Sequence, residues 1–233
     1  MILDLTKEDG VRPVSPIGRT YIAFVLDRSG SMKNILQQTI DGFNKQIDAI
    51  KKEAVGETFV SLVTFGTDVT PIFFNKSIDR LEYIGVHNYR PSGWTALYDA
   101  IGYTVNRLTN EAEHTHDAAF WVIIVSDGAE NHSVDYKFTL PTLISNKQYT
   151  GKWTFTYVGS NQDLSVVSNY LNIPTGNTVP WTNDAQGTAN IFTVHTNAVS
   201  NYFGVRSRGL TASSSLYSDS ITTTGGQPGP DNK

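Results

Sequence analysis

The chain has 233 residues, no cysteine and a formal net charge of -4, with 39% hydrophobic and 17% charged residues. This balance suits one folded core of α/β size rather than a disordered chain. Without cysteine there is no disulfide framework, thiol nucleophile or thiolate-bound zinc, and without a basic stripe nucleic acid is not an expected partner.

Residues 1–19, with Gly10, Pro13, Pro16 and Gly18, read as an irregular N-terminal arm. The first nine residues carry acids where a secretion signal needs a basic start. No apolar run approaches the ~20 residues of a membrane span, so no membrane partner is expected. The lack of cysteine leans toward a cytoplasmic home. Residues 21–26 form an apolar run that reads as a strand buried on both faces and stops at Asp27. Asn34 is placed to cap a helix whose buried face is Ile35, Ile40, Phe43, Ile47 and Ile50. Strands follow at 58–65 and 69–74, joined as a hairpin around Gly66, Thr67 and Asp68. A short helix is expected at 77–81. The loop 91–96 runs into a helix with Leu97, Ala100, Ile101, Val105 and Leu108 on one face.

A second apolar strand, 120–126, ends in Asp127-Gly128. A helix over 133–149 carries Pro141 as a kink or break. A strand at 152–158, a helix at 163–171 and a short strand at 177–182 come next. Asp184 caps a last helix bearing Ile191, Val194, Ala198 and Tyr202. Beyond Arg208 the composition changes. Nine of the fourteen residues from 211 to 224 are Ser or Thr, and a Gly- and Pro-rich end follows. The expected division is therefore an arm at 1–19, one domain at 20–208 and a flexible tail at 209–233. Strands separated by helices predict a doubly wound, mostly parallel α/β sheet with one antiparallel edge strand and helices on both faces. Ligands of such sheets bind beyond the carboxyl ends of the strands, where Asp27 and Asp127 stand.

The stretch after the first strand carries the chemistry. Asp27, Ser29 and Ser31 alternate with Arg28 and Gly30, which sends three oxygen-bearing side chains to one side. A carboxylate and two hydroxyls are hard ligands suited to Mg2+, Mn2+ or Ca2+. Three oxygens do not close a site, and the stretches around Thr95 and Asp127 can supply more. Together these pieces resemble the von Willebrand factor A (VWA) family and its metal-ion-dependent adhesion site, which uses a D-x-S-x-S stretch, a distant threonine and a distant aspartate. The matching residues are Asp27, Ser29, Ser31, Thr95 and Asp127, and the resemblance covers roughly residues 20–205.

The resemblance implies a Rossmann-like fold of the stand-alone, intracellular bacterial or phage type. It also implies Mg2+, or Mn2+ or Ca2+, as cofactor. The ion keeps an open position for an Asp or Glu supplied by a protein partner. The positive end of the helix that begins near Thr95 adds to that preference for an anion. On this reading the protein is a binding module and not an enzyme. Two alternatives stay open: an accessory subunit of an ATPase in the style of the chelatase and MoxR groups, and a metal-dependent hydrolase. Asp99 is a candidate to support the ligands from behind, Glu130 and Asn131 to line the rim, and Arg28 to touch a partner. A His114-x-His116-Asp117 cluster is a weaker candidate for a transition metal, with a solvated polar loop as its plain alternative.

Overall fold

The computed structural model describes residues 18–115, 117–160 and 164–217. The elements follow the alternation read from the sequence. Strand β1 (Thr20–Asp27) leads through a 3-10 turn (Gly30–Ile35) into α1 (Leu36–Glu53), and β2 (Thr58–Phe65) and β3 (Val69–Ser77) form the hairpin. Then come α2 (Leu97–Ala112), β4 (Ala119–Ser126), α3 (Leu140–Tyr149), β5 (Trp153–Ser160), α4 (Leu164–Tyr170), β6 (Thr178–Trp181) and α5 (Ala185–Ser207). The six strands lie in the order β3-β2-β1-β4-β5-β6, and only the edge strand β3 runs antiparallel.

Period-2 alternation divides the strand residues between two cores. Ile22, Phe24 and Leu26 of β1, with Trp121, Ile123 and Val125 of β4, face α1 and α5. Tyr21, Ala23 and Val25, with Phe120, Val122 and Ile124, face α2, α3 and α4. Both central strands are buried along their whole length, which is why they read as unbroken apolar runs. Helices α1 and α5 meet closely at Gly42, where an added Cβ would lie 1.9 Å from the Phe192 ring. Gln46 Nε2 donates to the Phe192 carbonyl at 2.8 Å across the same seam.

Three expectations of local structure change. Asn34 caps nothing: it lies inside the 3-10 turn, and neither that turn nor α1 has a side-chain cap. The helix expected from 133 begins at Leu140, with Pro141 in its first turn, where a missing N–H costs nothing. Asp184 does cap α5, accepting from Gly187 N at 2.6 Å. The largest difference is at the C-terminus. The domain continues past residue 208 to Tyr217, with Leu216 and Tyr217 buried in the α1–α5 core. Asn177 clamps this strap from both sides, donating to the Ser213 carbonyl at 2.8 Å and accepting from Leu216 N at 3.0 Å. Ser213 N donates to Thr154 Oγ1, and Tyr217 N to the Gly176 carbonyl. The remainder of the expected tail, and residues 1–17 of the expected arm, lie outside the described residues.

Candidate metal centre

Strand β1 is the point where the sheet order reverses, since the chain turns to β2 on one side of it and to β4 on the other. Strands β1 and β4 run parallel with Leu26 opposite Val125. Asp27 therefore emerges beside Ser126, with Asp127 one residue further on. Asp27 is fully buried. Its Oδ1 accepts from Ser29 N and its Oδ2 from Ser126 Oγ, each at 2.6 Å. The Tyr89 hydroxyl holds its carbonyl.

In front of Asp27 the hydroxyls form a chain. Ser29 Oγ lies 3.1 Å from Ser31 Oγ, which donates to Asp127 Oδ1 at 2.8 Å. Thr95 is buried, and a Cβ built on Gly128 would lie 3.8 Å from its Oγ1, so the threonine hydroxyl faces the turn that follows Asp127. The two loops are stitched together by Gly30 N to the Gly93 carbonyl and Ser92 N to the Arg28 carbonyl. All five residues singled out from the sequence thus meet at one edge of the sheet.

Burial pushes the Asp27 carboxyl up to about 6, against the pull of the bonds from Ser126 and Ser29, and the nearby Asp127 adds to the rise. Burial also raises Asp127, against the bonds from Ser31 and Asn183. Among the described residues no Lys, Arg or His is ion-paired to either. Two carboxylates held close without a counter-charge, beside inward-facing hydroxyls, fit a hard divalent cation. Among the described residues no group of three or more His, Cys, Asp or Glu side chains is arranged to hold a metal. An ion at this edge would rest on the hydroxyls as much as on the two carboxylates.

The neighbours are engaged chiefly with the backbone around the site. Glu130 does not line an open rim: it accepts from Tyr98 N at 3.0 Å and from the backbone of His132 and Ser133. Together with Ser133 Oγ, which accepts from Asp99 N, it satisfies the first turn of α2. That helix starts at Leu97, not at Thr95, and these donors are already engaged by the protein itself. Asp99 folds the loop after Asp127 by accepting from Val134, Asp135 and Tyr136 N. Asn131 Oδ1 holds Thr95 N at 2.9 Å. Arg28 turns away from the carboxylates to the β2–β3 hairpin, reaching the Asp68 carbonyl and Thr70 Oγ1. Of the histidine cluster, His116 lies outside the described residues.

Three supporting residues escaped the sequence reading. Ser126 and Tyr89 hold Asp27, and Asn183 Nδ2 donates to Asp127 Oδ2 and toward the Ser31 carbonyl. Ser126 stands directly before Asp127, so a hydroxyl there was the one available signal. Tyr89 and Asn183 come from loops far off in sequence and carried none.

Two aspartates and three hydroxyls thus stand at the reversal point of a doubly wound α/β sheet. The family model for the von Willebrand factor type A domain matches residues 22–164, well over half of the chain. The protein belongs to the VWA family, whose members often mediate metal-dependent protein interactions. No curated protein matches the chain. Among solved structures it is similar to the PilB minor pilin of Streptococcus sanguinis, with a TM-score of 0.59 at 13% identity over 81% of this chain and 63% of that one. It is also similar to proximal thread matrix protein 1 of the mussel byssus "with zinc occupied MIDAS motif", at TM-score 0.55 and 19% identity over 78% of this chain and 46% of that one. The ArnB paralog VWA2 of Sulfolobus acidocaldarius gives 0.53 and 16% over 79% and 46%. At these identities the likeness is one of fold. The chain spans less than two thirds of each of these proteins. No helix among the described residues is long and apolar enough to cross a membrane.

Proposed function

We infer that this VWA domain is a divalent-metal-dependent protein-binding module with an intact adhesion site. Ser29, Ser31 and Thr95 would hold the ion through hydroxyls, with Asp127 and Asp27 supplying negative charge directly or through water. The ion would be Mg2+, Mn2+ or Ca2+. Neutral hydroxyls leave such an ion short of charge, and a partner Asp or Glu completes it. The observation that carries the reading is the run of oxygens from Asp127 through Ser31 to Ser29 in front of a buried, uncompensated Asp27. The role of this chain's residues is to bind and orient. Turnover is not part of the reading, and a cytoplasmic location is.

The test is a set of thermal melts and calorimetric titrations with Mg2+, Mn2+, Ca2+ and Zn2+ against an EDTA control. An ion that binds only the folded protein raises its melting temperature by mass action. Thr95→Ala should retain the apo melting temperature and lose most of the metal-induced rise, since no side-chain cap of α2 is removed with it. Phosphatase and ATPase assays on the same samples should read background. A wild type that shows no metal-induced rise with any ion overturns the reading.

A further inference from the structure

Three of the four tryptophans, Trp121, Trp153 and Trp181, are buried, and the fourth, Trp94, is 62% exposed. It directly precedes Thr95. The loop that carries it is held at nearly every step. Ser92 N donates to the Arg28 carbonyl, Trp94 N to Thr67 Oγ1, Thr95 N to Asn131 Oδ1 and Ala96 N to the Gly66 carbonyl. Gly93 takes φ +79°, and a Cβ there would meet Thr67 Oγ1 at 2.2 Å, so the turn that presents Trp94 is closed against the hairpin. The side chain is therefore displayed from a rigid support, and covering it costs little ordering entropy. A Cβ added to Gly66, whose carbonyl holds the same loop, would lie 3.4 Å from Arg28 Nη1, and that guanidinium has no ion-pair partner among the described residues.

We propose that Trp94 is the apolar anchor of the surface that receives the protein partner, and that the partner presents an acidic residue with a large apolar side chain one or two positions away from it. The proposal rests on the metal-bridge reading and names the partner's chemistry. The spacing follows from the chain: Trp94 and Thr95 have Cα atoms about 3.8 Å apart. A carboxylate at the ion and a side chain over the indole must therefore be near neighbours in the partner. The cation at Arg28 favours an acidic surrounding segment. Tryptophan is among the residue types enriched at the energetic centres of interfaces.

The test uses a random displayed-peptide library panned on the full chain in Mn2+. Wild type should enrich sequences with Asp or Glu one or two positions from Phe, Trp, Leu or Ile. Trp94→Ala should fold with an unchanged melting temperature, keep the acidic preference and lose the apolar one. It should bind the wild-type-selected peptides about 30-fold more weakly. Because Trp94 is the one exposed tryptophan, a bound peptide should also protect it from acrylamide quenching. Enrichment of acid without an apolar neighbour would overturn the Trp94 proposal and leave the metal reading standing. Enrichment that survives EDTA, or Thr95→Ala, would overturn the metal reading instead. No enrichment in Mn2+ would overturn both.

Discussion

Two hydroxyl-rich stretches of this chain are alike in composition and unlike in fate. Ser29, Ser31 and Thr95 stand at the carboxyl edge of the sheet, where Ser31 bonds Asp127, Ser29 meets Ser31 and Thr95 faces the Gly128 turn. Residues 211–217 lie beyond the last helix and close the α1–α5 face, with their polar groups spent on Asn177, Gly176 and Thr154. The difference lies in what each is anchored to. The first is pinned by its neighbours, with Met32 beside Ser31 and Leu97 beyond Thr95 buried in the core, and the backbone around the hydroxyls is bonded between the two loops, which leaves the side-chain oxygens facing the sheet edge. The second carries Leu216 and Tyr217, whose burial outweighs the polar composition around them. Changes in the strap should accordingly move stability and leave metal binding alone. Changes at the edge should do the reverse.

The largest effect is expected from Tyr217→Ala, which empties a fully buried site and removes the hydroxyl 2.9 Å from His195 Nε2. It should cost about 3–5 kcal/mol in urea denaturation, with the metal-induced rise in melting temperature intact. A loss below about 1 kcal/mol would mean that the strap is loosely held. Asp27→Asn should invert that pattern. At metal concentrations near 100 Kd the wild type gains about 2.7 kcal/mol, and the variant should gain nothing. Its apo form should be at least as stable as wild type at pH 7. The Asp27 carboxyl is pushed up to about 6 from 3.8, so its contribution is present below 3.8 and is lost as pH rises through 6. The ionised group then opposes folding, and a neutral amide does not. An unstable apo variant with normal metal binding would break the comparison.

Lowering the pH tests the strap face again. Burial lowers His195 to about 3 from 6.5. Below pH 6.5 the unfolded chain takes up a proton that the folded chain refuses until about pH 3, so stability falls across that window as acid is added. The contribution of this residue is at most about 1.4 kcal/mol per pH unit. His195→Gln should flatten the slope by that amount in urea denaturation measured at several pH values. An unchanged slope would locate the acid sensitivity elsewhere. The smallest effect is expected from Asn183→Ala. It frees Asp127 Oδ2 and should weaken metal affinity about tenfold by calorimetry, as loss of a residue supporting a ligand does. No change in affinity would show that Asp127 is oriented by Ser31 alone.

The alternation of apolar runs with helical patterns was enough to anticipate a parallel sheet with a hairpin edge, because a strand buried on both faces leaves no polar positions to mistake. The candidate ligands were legible for a related reason. Each stands at the end of an apolar run or at a loop–helix junction; singly such residues are ordinary caps and turn formers, and it is their joint pattern that marks the edge. The place of Glu130 was not legible because a carboxylate on a loop looks the same whether it lines a rim or accepts from backbone N–H groups. The domain end was misjudged because Leu216 and Tyr217 are two apolar residues within a Ser/Thr-rich stretch, and composition averages them away.

By itself the sequence determined the main element types, the two-sided burial of β1 and β4 and which oxygen-bearing residues end up at the sheet edge, because these depend on periodicity and side-chain chemistry over a few neighbouring residues. Only the tertiary structure decided that β1 and β4 are adjacent and in a register that sets Asp27 beside Ser126 and Asp127. It alone decided that Tyr89 and Asn183 hold those carboxylates, that Trp94 is displayed from a closed turn, and that Tyr217 reaches His195. Each of these is a contact between segments far apart in the chain. Such contacts follow from which surfaces pack together, a property of the whole core that no local pattern of residues encodes.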